Sequence, residues 1–66
     1  MDIQSFEGLQ LKLNDGITLR KENGEEIKGF YMGEYNAGGK TFAFSNFVNG
    51  SVEVILIEQL QQLIKG

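Results

Sequence analysis

Asn23-Gly24 limits what this chain can become more than any other pair in it. It lies between Ile17-Thr18-Leu19-Arg20-Lys21 and Glu26-Ile27-Lys28-Gly29-Phe30-Tyr31, two stretches in which apolar and polar residues alternate. Alternation with a period of two puts the apolar side chains on one face of a strand. Asn-Gly between two such runs is the strongest short signal for a β-hairpin, because both residues tolerate positive φ. The stretch from Ile17 to Tyr35 therefore reads as a hairpin to which the other strands are added.

The register of that hairpin stays open in the sequence. A two-residue type I′ turn pairs Lys21 with Glu26, Ile17 with Phe30 and Leu19 with Lys28. A bulged turn one residue longer pairs Leu19 with Gly29 and Ile17 with Tyr31. One residue of slip moves every inward side chain to the other face, so the choice decides whether Tyr31 is core or surface. The second arm, Glu26 to Tyr35, is long and carries Gly29 and Gly33. Glycine inside a strand marks a bend, a bulge or a close backbone approach. Two of them four residues apart predict the strong curvature of a small barrel.

Asn36-Ala37-Gly38-Gly39 is a turn by composition. Lys40 to Phe47 follows as a strand with Phe42 and Phe44 on one face, then Val48-Asn49-Gly50-Ser51 as a second hairpin turn. Val52 to Ile57 is the most β-branched run. Its apolar character over Val54-Ile55-Leu56-Ile57 fits a strand buried on both faces, or on one face with a subunit interface on the other. At the N-terminus, a short helical or irregular lead through Phe6 and then a strand over Leu9–Leu13 are expected. At the C-terminus, Leu60, Leu63 and Ile64 make one helical face. The competing reading there is a 3₁₀ turn at Ile57–Leu60 followed by a short strand over Gln61–Lys65. The expected fold is thus mainly β, one domain over residues 1–66. It is a small five-stranded, strongly bent antiparallel sheet or barrel with a short C-terminal helix or 3₁₀ turn.

Size matters to the partner question. A chain of 66 residues buries only about 60% of the surface it exposes when unfolded. Small domains often compensate with disulfides, a metal or a second subunit. This chain has no Cys and no His, which leaves self-association, so a protein partner or homo-oligomer is expected. The formal charge of −3 argues against a generic nucleic-acid binder, which needs a basic face. No apolar run approaches the roughly 20 residues of a membrane span, and Met1-Asp2-Ile3-Gln4 opens no signal peptide. The expected location is cytoplasmic.

Enzymatic chemistry finds no residues to carry it. Ser5, Ser45 and Ser51 have no evident base beside them. Glu22, Glu25 and Glu26 read as a solvated hairpin tip. Gly38-Gly39-Lys40-Thr41 superficially matches the end of a phosphate-binding loop, but Phe42-Ala43-Phe44 continues as strand where that motif needs a helix. No catalytic residue, cofactor, metal or small-molecule substrate is expected. The aromatic residues are the remaining candidates. Tyr31, Tyr35 and Phe47, with Arg20 and Lys28 nearby, form the candidate interaction surface. Phe47 points away from Phe42 and Phe44, as an exposed anchor for a protein would. The alternative is a single-stranded RNA- or DNA-binding barrel that stacks bases on these rings. The Glu residues between Lys21 and Lys28 favour the protein reading.

The hairpin also resembles that of the Sm-like family. There, alternating apolar residues precede an Asn-Gly or Asp-Gly turn, and a Gly follows five residues after it. Ile17, Leu19, Asn23, Gly24, Ile27 and Gly29 occupy matching positions, and the resemblance covers roughly residues 17–31. It implies a strongly bent five-stranded antiparallel barrel with both apolar rows of the hairpin inward, hence the bulged register. The family's RNA-binding members place an Asp and then Met-Asn in and after the second strand. This chain has Glu34-Tyr35-Asn36 and Gly38-Gly39-Lys40-Thr41 there. The later Arg-Gly pair is replaced by Ile57-Glu58-Gln59-Leu60. The fold is implied by the resemblance; the RNA pocket is not.

Overall fold

The structure is a computed structural model that describes residues 1–66. A short helix, α1 (Ile3–Gly8), precedes β1 (Gly16–Lys21), β2 (Glu26–Asn36), β3 (Thr41–Asn46) and β4 (Val52–Leu56). A 3₁₀ turn at Ile57–Gln59 then leads into β5 (Leu60–Lys65). All neighbouring strands are antiparallel. They form one sheet in the order β4-β3-β2-β1-β5. The sheet does not close into a barrel, and β4 and β5 are its two edges.

The hairpin turn differs from both expected forms. Lys21 N–H donates to the Glu25 carbonyl at 2.8 Å, and Gly24 N–H donates to the Lys21 carbonyl at 2.9 Å. The loop is therefore three residues, Glu22-Asn23-Gly24. Within it only Gly24 has positive φ, at 91°, so this is a turn closed by one left-handed residue rather than a type I′ turn. Asn23 contributes through its side chain, whose Oδ1 accepts from Glu25 N–H at 2.9 Å. The resulting pairs are Ile17 with Gly29, Leu19 with Ile27 and Arg20 with Glu26. The extra loop residue lies before Asn23, not after Gly24, so neither expected set of partners forms. The apolar rows decide the matter. This register turns Ile17 and Leu19 inward together with Ile27, Gly29 and Tyr31, whereas the two-residue turn would send one row to solvent.

The two glycines of β2 do different things. A Cβ on Gly29 would sit 2.1 Å from the Ser45 carbonyl oxygen and 2.5 Å from Phe44 Cζ. The absence of a side chain there lets Phe44 fill the space under the strand. Gly33 and Glu34 have φ of 85° and 56° and sit where the β2–β3 register slips between Tyr31 and Asn36. That irregularity bends β2 and carries its end over the core.

The core gathers Phe6, Ile17, Leu19, Tyr31, Phe42, Phe44, Ile57, Leu60 and Leu63. Helix α1 is too short to stand alone. Asp2 caps it, its carboxylate accepting from Ser5 N–H at 2.7 Å. Phe6 anchors it, with ring centroids 5.2 Å from Phe42 and 4.9 Å from Tyr35. The amino group of Met1 donates to the Leu60 carbonyl, which ties α1 to the start of β5.

One expected segment does not form, and two open alternatives are decided. Leu9–Leu13 is not a strand. Gln10 and Asn14 take positive φ, 51° and 72°, so the chain turns repeatedly while Leu9 and Leu11 pack against the core and Leu13 is exposed. The C-terminal helix does not form, and the 3₁₀ turn and final strand do. Leu60 and Leu63 are both buried at helical spacing because the β1–β5 register slips by one residue between Arg20 and Lys21. The extra residue on β5 returns both leucines to the same face. Finally, β4 is not buried on both faces. Glu53 and Ile55 are partly covered, while Val52, Val54 and Leu56 are exposed.

Candidate interaction surface

The five residues singled out by sequence do not assemble into one surface. Tyr31 faces inward, only 8% exposed, and belongs to the core. The three-residue loop put it there by fixing the register. Tyr35 is half-buried against Phe6, and its hydroxyl is buried without a hydrogen-bond partner. Burial pushes both phenols above their ordinary value, with Tyr35 adding to the effect on Tyr31 and the Glu7 carboxylate adding to that on Tyr35. Arg20 lies on the outer face of β1. Its guanidinium donates to Glu26 at 2.9 and 2.7 Å and to Gln62 at 3.0 Å. Its donors are therefore committed to neighbours within the sheet.

Phe47 and Lys28 are the two that remain available. Phe47 is 70% exposed. It falls just past β3 because the strand ends at Asn46, where Gly50 N–H donates to the Asn46 carbonyl at 2.8 Å and closes the turn. Lys28 lies on the outer face of β2, and Phe47 N–H donates to its carbonyl at 3.0 Å. Phe30, two residues along on the same outer face, completes the group with its ring centroid 6.3 Å from that of Phe47. In the sequence Phe30 stands out only as a residue of the hairpin's second arm. Its outward direction depended on the register.

A stacking platform for nucleic acid needs several open rings and several free cations. Here two of the three aromatic candidates are covered, and Arg20 is neutralised by Glu26. Lys21 pairs with Glu25 at 3.3 Å, and Lys40 pairs with Glu58. The hairpin-tip carboxylates, Glu25 and Glu26, are thus ion-pair partners of β1 cations rather than a cluster with one another.

The larger feature is the β4 edge. Val52, Val54 and Leu56 project on the outer side, opposite Ser45, Ala43 and Thr41 of β3. Val54 is 74% exposed. None of these six positions carries a charge. Between the two edges of the sheet runs a cleft of about 260 Å³, floored by Leu19, Ile55 and Leu60. The sequence signal was the unbroken apolar run of β4. No family model matches the chain, and no match is found among curated proteins or solved structures.

Proposed function

We propose that this chain is a non-enzymatic interaction module that assembles with further copies of itself through the open edges of its sheet. The observation that carries the reading is the pair of unpaired edges, β4 and β5, with exposed Val52, Val54 and Leu56 along the first. An edge strand presents a row of free N–H and C=O groups, and proteins that stay single usually protect it with charge, proline or a cover. The outward row of β4 has none of these. The two edges are different strands, so the contact they support is head-to-tail, β4 of one copy beside β5 of the next. Such a contact closes into a ring or continues as a filament. The Sm-like resemblance supports the fold side of this reading, through five antiparallel strands and the inward placement of Ile17, Leu19, Ile27 and Gly29.

Sedimentation velocity tests it. The protein is expected to sediment as a species well above its 7.4 kDa chain mass. Val54→Lys places a protecting charge on the edge at an exposed position, so it is expected to give a folded monomer. A monomeric parent protein at high concentration refutes self-assembly.

A further inference from the structure

The outer face of β2 carries a second surface that edge pairing leaves free. Phe30 and Phe47 stand there with their rings tilted 59° to one another. A groove of about 300 Å³ runs beside them, completed by Gly16, Thr18, Lys28 and Gly66. A wider one of about 570 Å³ lies on the other side of Phe47, against Ile27, Lys28, Asn46 and Val48. Phe47 is the ridge between the two, and Lys28 lines both. The ridge is held in place by its backbone. Besides the Phe47–Lys28 bond, Val48 N–H donates to Asn46 Oδ1 at 2.8 Å.

Charge selects the occupant. Arg20, Lys21, Lys40 and Lys65 each lie beside a carboxylate. Lys12 and Lys28 do not, in a chain with nine acidic and six basic residues, and of these two only Lys28 lines the grooves. Two acids, Glu25 and Glu26, line the wider groove at its hairpin end, and they are paired with Lys21 and Arg20. With those two acids already paired, the groups left uncommitted along the Phe47 ridge are two aromatic rings and one ammonium. One cation is too few for a polyanion, whose binding rests on neutralising several phosphates. It suits a single carboxylate beside an apolar side chain.

We propose that this surface docks an acidic peptide segment of another protein. One aromatic or long aliphatic side chain of the segment seats against Phe30 and Phe47, and a carboxylate one or two residues away reaches Lys28 Nζ. The site lies on the face of an inner strand, so it is open in a single copy and in an edge-paired assembly alike. It stands or falls separately from self-association.

Amide ¹H–¹⁵N spectra of the full chain, titrated at low salt with acetyl-Phe-Asp-Asp-amide and acetyl-Phe-Lys-Lys-amide, test the proposal. The acidic peptide is expected to bind with a dissociation constant in the millimolar range, as suits a fragment of this size. Its shifts are expected to be confined to residues 16–18, 28–30 and 46–48. The basic peptide is expected to bind about threefold more weakly, the scale of one exposed ion pair. Lys28→Glu is expected to reverse that order. Phe47→Ala, at an exposed position, is expected to weaken both peptides by about fivefold or more without moving the melting temperature. Equal binding of the two peptides, shifts centred elsewhere, or no shifts at all would overturn the proposal. So would an oligothymidylate that shifts the same amides more tightly than the acidic peptide does.

Discussion

Replacing Gly29 by Ala puts the smallest possible side chain into the tightest place in the sheet. Gly29 pairs with Ile17 on one side and Asn46 on the other, so the strand cannot move aside without breaking a ladder. The new Cβ would meet two obstacles. One is the Phe44 ring, itself fully buried. The other is the Ser45 carbonyl at 2.1 Å, which no side-chain rotation can clear. Overfilling a packed core costs about 1–3 kcal/mol, and the backbone obstacle places this case at the upper end, about 3 kcal/mol. A chain of this length has a total stability of about 3–10 kcal/mol. The loss corresponds to a fall in melting temperature of about 12–24 °C for a domain this small. Far-UV circular dichroism melts at one fixed protein concentration measure it, since self-association would otherwise shift the midpoint. Gly8→Ala is the internal control. A Cβ at Gly8 meets no atom within 4 Å and lies in α1, where Ala is preferred over Gly, so its melting temperature should hold or rise. A Gly29→Ala protein melting within about 3 °C of the parent would refute the reasoning that ties the close packing of Phe44 under β2 to a missing side chain.

Other consequences can be measured independently. The Asp2 carboxyl is held below its ordinary value, first by the Ser5 backbone N–H and then by the Ser5 hydroxyl. Its contribution is therefore present above the unfolded value and lost as pH falls through the lower folded one. Hydrogen-exchange protection of Ser5 should drop below about pH 4, and Asp2→Ala should abolish that dependence. The phenols of Tyr31 and Tyr35 are raised by burial, so their contribution is full below about pH 10 and is lost as pH rises further. Phenolate absorbance should then grow together with loss of the near-ultraviolet dichroism, and a reversible titration at the ordinary value in the folded protein would count against it. A double-mutant cycle on Arg20 and Glu26 should give a coupling of at most about 1 kcal/mol that fades with salt, because both side chains are over a third exposed. A larger, salt-resistant coupling would mean that the pair is better shielded than its exposure suggests.

Periodicity and turn residues exposed most of the strands but not how they meet. Asn23-Gly24 located the chain reversal, yet the loop took Glu22 as well, because the inward demand of Leu19 and Ile27 outweighs the local preference for a type I′ turn. Leu60, Leu63 and Ile64 suggested a helix because a strand with one extra residue reproduces helical spacing. Nothing local marks such a slip; it arises from pairing with β1, some forty residues earlier. The same dependence explains the surface residues. Tyr31 and Phe30 are neighbours, and only the register tells which is core and which is surface. Arg20 was legible as a cation, but its engagement by Glu26 and Gln62 requires three strands to be side by side. Phe47 could be found because its direction follows from parity within a single strand and the turn after it.

The placement of β1 between β2 and β5 also has a consequence in time. Thr18 faces Lys28 across one ladder and Ile64 across the other. The first strand therefore finds one neighbour within a dozen residues and must wait for β5, some forty residues on, to find the second. Helix α1 waits with it, since its anchors, Phe42 and the Leu60 carbonyl, also come late in the sequence. A chain emerging from the ribosome can close its hairpin early. It cannot seat α1 and the outer side of β1 until β5 is free. Until then the outer side of β1 is a bare edge like β4, and folding is a race between β5 and any other strand that reaches that edge first.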